Sequence, residues 1–218
     1  MPASAASRCV ERAHRHAVAA DSVDYPDWYL KRWHCLPEGY LSERSIQLYD
    51  VVIRRLYSVG RENDVAYRIA RLCRRTGAKR LLAIGCGSGS LEARVARLVP
   101  GLGISGMDLS PFAVARARER LPTARIVHGD AQRMPWPDDS FDVVLASHLL
   151  GHVPPAVRDR IAAEALRVLT GNGQLVVVDH RWHDAGLPGF RRIREWTSGA
   201  GMVRIACHVP AATVSVAK

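Results

Sequence analysis

Near the middle of the chain, Gly85-Cys86-Gly87-Ser88-Gly89 places glycine at every second position. Glycine tolerates positive φ and carries no Cβ, so a ligand can lie directly against the main chain there. The apolar run 81–84 precedes this stretch, and Leu91, Val95 and Leu98 follow at helical spacing. The pattern reads as buried strand, tight turn and helix. The first turn of such a helix has N–H groups with no intrahelical acceptor, and they point at whatever the glycines admit. Downstream, Asp108 ends a second apolar run, Gly103–Asp108. A carboxylate at the end of a second strand can accept from both hydroxyls of a ribose. Another acid stands in Gly129-Asp130-Ala131, and His148, His152, His180 and His183 follow two further apolar runs. Imidazole titrates near neutral pH and suits proton transfer.

The elements that must carry these groups alternate between strand and helix patterns, which predicts a parallel sheet with helices on both faces. Ser42 is placed to cap a helix from Glu43, with Ile46, Tyr49, Val52, Ile53 and Leu56 at helical spacing. A second helix is expected from residue 63 or 64 to 75, ended by Gly77. Strands are expected at 125–128, 140–147 and 174–179, the last after a Gly171-Asn172-Gly173 turn, with helices at 110–121 and 157–169. The stretch 189–196, with Arg191, Arg192 and Arg194, reads as a short basic helix, and two last strands are expected near 202–208 and 211–216. Residues 1–42 form an N-terminal extension with an aromatic cluster between turn signals, including Tyr25, Trp28, Tyr29, Trp33 and Tyr40. It has two readings: a segment packed across the domain, or a lid that excludes water from a site.

Five ordered stretches carry a resemblance: Ile84–Gly89, Gly106-Met107-Asp108-Leu109-Ser110-Pro111, Gly129-Asp130-Ala131, Met134–Val144, and Leu166-Arg167-Val168-Leu169 before Gly173-Gln174-Leu175. Together they resemble the class I S-adenosylmethionine-dependent methyltransferases over residues 45–217. The segment around Tyr49-Asp50 is similar to that of the quinone C-methyltransferases and the bacterial phosphatidylethanolamine N-methyltransferases. The resemblance implies an α/β, Rossmann-like three-layer sandwich. Its sheet would be seven-stranded and mostly parallel, with an antiparallel C-terminal hairpin and N-terminal helices, over 43–218. It implies S-adenosylmethionine as cofactor and S-adenosylhomocysteine as product. Cofactor-binding positions carried over are Gly85, Cys86, Gly87, Gly89, Asp108, Leu109, Asp130, Ala131 and His148. In that pattern Asp130 bonds the adenine amino group and Ala131 lies against the ring. Cys86 is read as a small residue packed beneath the cofactor.

One position departs from the family. The residue two before the first glycine is usually an acid that helps orient the glycine loop and the cofactor's ammonium group. Here it is Ala83. Loss of a charged hydrogen bond costs about 1–3 kcal/mol unless another carboxylate substitutes. In this fold strands four and five are neighbours, so the four histidines fall at one cleft. Three roles compete for them: local packing, general base toward the acceptor (His148, His152 or His180), and metal ligation. Metal ranks last, because Gly151 and Pro154 weaken any helix joining His148 to His152. Tyr49 is either helix core or a group near the cofactor's methionine end. The reaction implied is in-line methyl transfer to an oxygen, nitrogen or carbon nucleophile, in which alignment does most of the work.

The bulk composition narrows the partners. The 218 residues suffice for one well-buried domain, with 48% hydrophobic and 24% charged residues. Net charge is +10, almost all from arginine, since Lys31, Lys79 and Lys218 are the lysines. A GC-rich genome explains that bias without a function, and contact with an anionic membrane surface is the second explanation. The five cysteines form no Cys-x-x-Cys pair, which argues for a reducing, cytoplasmic setting. A small-molecule acceptor leads. A lipid amine or quinone head group at the membrane surface follows, then a repurposed, non-catalytic cofactor-binding protein. A nucleic-acid substrate is disfavoured, because Ser147-His148-Leu149-Leu150 stands where base-amine enzymes often carry Asn-Pro-Pro-Tyr. Oligomeric state leaves no mark in the sequence.

Overall fold

The computed structural model describes residues 25–30, 36, 38–53, 61–180, 186–198 and 202–211. Its centre is a seven-stranded sheet in the order β3-β2-β1-β4-β5-β7-β6. The strands are β1 (Arg80–Ile84), β2 (Gly103–Asp108), β3 (Arg125–His128), β4 (Phe141–Ser147), β5 (Leu169–His180), β6 (Phe190–Ser198) and β7 (Val203–Pro210). The pairs among β1 to β5 are parallel, and β7 runs antiparallel to both its neighbours. The order reverses at β1, between β2 and β4. That switch point opens a crevice at the carboxyl ends of the strands.

Alternation along β1 assigns its side chains to two cores. Leu81 and Ala83 face one side, with Val143, Leu145, Val176 and Val178, under helices α2 (Arg61–Thr76), α3 (Ser90–Leu98) and α4 (Pro111–Arg120). Leu82 and Ile84 face the other, with Val144, Ala146, Leu175 and Val177, under α5 (Pro155–Val168). Strands buried on both faces are therefore apolar throughout. Asp142 fixes the start of β1, since its Oδ2 accepts from the N–H groups of Lys79 (2.8 Å) and Arg80 (2.9 Å).

Helix α1 (Glu43–Leu48) is capped as expected, Ser42 Oγ accepting from Ser45 N at 3.1 Å. It does not continue as one α-helix, because Tyr49–Ile53 widens into a π-helical turn. Such turns re-aim side chains and occur often at functional sites. Gly77, at φ +68°, ends α2.

Two expectations are corrected. Residues 189–196 are not a helix but most of edge strand β6. Phe190, Ile193 and Trp196 recur at intervals of three, which imitates a helical period. The register shift between Arg192 and Arg194 accounts for the imitation. A bulge at Ile193 reverses the parity of the strand, so Phe190 packs on the α5 side and Trp196 on the opposite core. The Gly171-Asn172-Gly173 turn also lies inside a strand: β5 pairs Leu169 with Phe141, then Gln174 with Val143, and the intervening residues bulge. The strand expected at 211–216 falls outside the described residues after Ala211. Among the described residues no helix is long and apolar enough to cross a membrane.

Candidate functional site

A cavity of about 200 Å³ lies over the carboxyl ends of β1, β2, β3 and β4. One ordered water needs roughly 10–15 Å³ by such a measure, so the space suits a small organic molecule. Gly85, Cys86, Gly87, Asp108, Leu109, Asp130, Ala131, His148, His152 and Tyr49 all line it.

The bend after β1 is made by Gly85, Gly87 and Gly89 at φ +62°, +54° and +71°. A Cβ added at Gly87 would meet nothing within 4 Å. The main chain there is bare toward the cavity, as a close-lying ligand requires. Gly89 has a different task and is not part of the wall. A Cβ on it would come within 3.0 Å of Leu121 and 3.2 Å of the Ala117 Cβ, so it lets the start of α3 pack on α4. Cys86 is buried below the bend, its N–H donating to the carbonyl of Met107 at 3.0 Å. Burial pushes its thiol well above the usual range, with Asp108 and Glu92 adding to the effect. The thiol therefore stays protonated.

Asp108 ties the bend to the second strand. Its Oδ2 accepts from Gly87 N and its Oδ1 from Ser110 N, both at 2.8 Å. Burial raises its pKa, and the two N–H donors offset this only in part. Each carboxylate oxygen retains a second lone pair for a ligand hydroxyl. Asp130 is held by Gln132, whose N and Nε2 donate to its two oxygens at 2.8 Å each.

The histidine loop is stitched to β5. Asp179 is buried and accepts from Gly151 N through Oδ2 and from His180 N through Oδ1, at 2.8 Å each. His148 N donates to the Val178 carbonyl at 2.7 Å, and His148 adopts φ +51°. Residues 148–153 form turns, so His148 and His152 do not share a helix. The His148 and His180 rings are 5.1 Å apart at 53°. His148 and His152 face the cavity, and His180 stands buried behind His148, off the wall. His183 lies outside the described residues. Among the described residues no group of three or more His, Cys, Asp or Glu could hold a metal ion.

Trp28, Tyr29, Tyr40, Ile46, Tyr49 and Asp50 bring the N-terminal segment onto the same cavity. Tyr29 packs with Tyr40 (6.1 Å), and Tyr40 meets Tyr49 edge-on (5.9 Å, 76°). Ser110 Oγ donates to the Tyr40 carbonyl at 2.5 Å, which fastens the segment to the N-terminus of α4. Burial raises the Tyr25 hydroxyl to about 12, helped by Asp108, and raises Tyr29 and Tyr40 as well. These phenols stay neutral at ordinary pH.

Three acidic wall residues escaped the sequence reading as site residues: Asp50, Glu62 and Glu92. Asp50 is buried on the π-helical turn. It accepts from Ser88 Oγ at 2.6 Å and pairs with Arg120 Nη2 at 3.0 Å, while Arg120 Nη1 donates to the Ser88 carbonyl at 2.6 Å. The glycine bend is thereby clamped to the N-terminal segment and to α4. Glu62 pairs with Arg94 at 3.0 Å. The signal for Glu92 was available: an acid in the first turn after a glycine bend, in a chain with alanine at 83. The wall therefore carries five carboxylates, Asp50, Glu62, Glu92, Asp108 and Asp130, and among the described residues no lysine or arginine.

Residues 82–177 match the methyltransferase domain family. The chain is 33% identical to the 27-O-demethylrifamycin SV methyltransferase of Amycolatopsis mediterranei over 179 residues, 78% of this chain and 60% of that protein. It is 29% identical to the demethylmenaquinone methyltransferase of Thermotoga maritima over 139 residues, 64% of this chain and 59% of that one. It thus spans less than two thirds of the length of either relative. A TehB-like S-adenosylmethionine-dependent methyltransferase from Corynebacterium glutamicum shares the fold at TM-score 0.60 and 19% identity, over 78% of this chain and 100% of that one. The sheet order, the glycine bend at its switch point and the domain match converge: residues 82–177 match a methyltransferase domain, and the chain has the fold of an S-adenosylmethionine-dependent methyltransferase.

Proposed function

We propose that this protein transfers a methyl group from S-adenosylmethionine to a small-molecule acceptor. The observation that carries the proposal is the charge of the cavity. In a chain of net charge +10, the wall beside the glycine bend holds five acids and, among the described residues, no lysine or arginine. A glycine bend before a helix would also suit a dinucleotide pyrophosphate, but these carboxylates repel one. A ligand with cationic centres gains from them.

The residues fit such a ligand. The bare main chain at Gly87 admits it closely, Asp108 keeps acceptor capacity for ribose hydroxyls, and on the same wall Asp130 offers acceptors and Ala131 an apolar face to an adenine. When bound, S-adenosylmethionine supplies a methyl group on a sulfonium, activated for in-line displacement. The chain's own work is to align the acceptor and exclude water. His148 and His152 face the cavity from the β4 side and Tyr49 from the N-terminal side. We assign His148 the role of taking the acceptor's proton, with the buried His180 ring fixing its plane. The aromatic segment around Trp28, Tyr29 and Tyr40 acts as the lid of the acceptor space. The two methyltransferase relatives act, by their names, on a rifamycin and on demethylmenaquinone, which supports an organic acceptor here.

Isothermal calorimetry with S-adenosylmethionine, S-adenosylhomocysteine and NAD tests the reading. Saturable binding of the first two and none of NAD is expected. Failure of both sulfur ligands to bind would remove it.

A further inference from the structure

The five wall carboxylates differ in how they are satisfied. Asp50 meets Ser88 and Arg120, Glu62 meets Arg94, Asp108 meets two N–H groups, and Asp130 meets Gln132. Glu92 differs from them. It is 2% exposed, and its Oε2 has no hydrogen-bond partner among the described residues. A buried carboxylate oxygen without a donor is costly. Its surroundings do little to offset that cost. The charges of Glu62 and Asp108 push against it, and Arg120, the cation acting on it, is already engaged by Ser88 and Asp50. Near the end of β1, Ala83 is 1% exposed and has no polar side chain to offer.

Such a side chain is suited to a donor that arrives with the ligand. The donor must be compact, cationic and rich in N–H, which describes an α-ammonium group. We propose that Glu92 receives the ammonium group at the amino-acid end of the bound ligand, supplying from the first turn of α3 the carboxylate that β1 lacks at Ala83. The inference rests on the S-adenosylmethionine site proposed above. Asp108 and Asp130 then hold the adenosyl end, and Glu92 sets the other end of the same molecule. Burial holds the Glu92 carboxyl up at about 7; its own N–H and Arg120 pull it down, and Glu62 and Asp108 push it up. Near neutral pH it is therefore part-protonated, and a cation docked on it expels the proton.

Calorimetry on the full chain at pH 6.5, in two buffers of different ionisation enthalpy, reads this directly. The probes are S-adenosylhomocysteine and 5′-methylthioadenosine, which lacks the amino-acid end. Wild type is expected to release on the order of half a proton or more with the first and none with the second. Glu92→Gln is expected to lose that release and to weaken S-adenosylhomocysteine about tenfold or more, leaving 5′-methylthioadenosine within about twofold. Equal weakening of both ligands, or of neither, would overturn the assignment. Should the variant fold poorly, the wild-type proton count decides alone, and equal release with the two ligands overturns it. Wild type that binds neither probe would defeat the cofactor reading itself, an outcome distinct from these.

Discussion

Glu92 leaves a pH signature in the ligand-free protein. Its carboxyl stands at about 7 when folded, against an ordinary value of 4.5. Between those values the folded protein binds more protons than the unfolded chain, so stability falls as pH rises through the window and levels off above it. The span corresponds to about 3 kcal/mol at most. Glu92→Gln is expected to flatten that slope and to exceed wild type in urea midpoint at pH 7.5 but not at pH 4.5; an unchanged slope would show that its burial is not felt. Asp142 acts in the opposite sense. Burial raises its pKa, but the N–H groups of Lys79 and Arg80 and the Arg80 guanidinium bring it below the ordinary 3.8. Its contribution is present above that value and is lost as pH falls through the lower, folded one. At Asp108, the Asn variant keeps the volume but loses one acceptor oxygen and the charge. It should weaken S-adenosylhomocysteine and 5′-methylthioadenosine alike, by about 10–100-fold, a pattern that separates the adenosyl end from the Glu92 end. His148 occupies φ +51°, which Asn tolerates and β-branched residues do not. His148→Asn should fold within about 0.5 kcal/mol of wild type and lower kcat, whereas His148→Val should lose about 1–3 kcal/mol of stability.

At the level of elements, the decisive joint links the π-helical turn, the glycine bend and α4 through Asp50, Ser88 and Arg120. Arg120→Ala takes the guanidinium away from the buried Asp50 carboxylate and from the Ser88 carbonyl. A loss of about 1–3 kcal/mol in denaturant unfolding is expected, discounted for the partly exposed guanidinium, together with a raised KM for S-adenosylmethionine. A change in kcat with KM untouched would contradict the joint's role in holding the bend. Elements β1 to β5 and their helices were legible in sequence because buried strands and capped helices obey local rules: Ser110 caps α4 and Gly77 ends α2 where their types predict. Strand β6 was not legible. Its arginines blunt an exposed sheet edge, and a bulge at Ile193 turned a strand into an apparent three-residue period. The exposed Arg191, Arg192, Ile193 and Arg194 thus belong to an edge that resists strand addition.

At the scale of the molecule, charge is divided: basic in sum, acidic at the cavity wall. Ligand binding should stabilise the whole domain. At about 100 Kd of S-adenosylhomocysteine the linkage amounts to about 2.7 kcal/mol, or roughly 5–10 °C in Tm for a chain of this size. A thermal scan without such a shift would place the ligand off the folded cavity. By itself the sequence determined the strand–bend–helix at 81–98, the acids at 108 and 130, and the class of fold, since each follows from residue type and short spacing. Only the tertiary structure decided that Asp50, Glu62 and Glu92 share a wall with them, that Gly89 packs helices, and that His180 backs His148. Those relations join positions tens of residues apart across a switch point in the sheet. Burial, which settles whether an acid is solvated or waiting for a cation, arises only when the chain has closed around it.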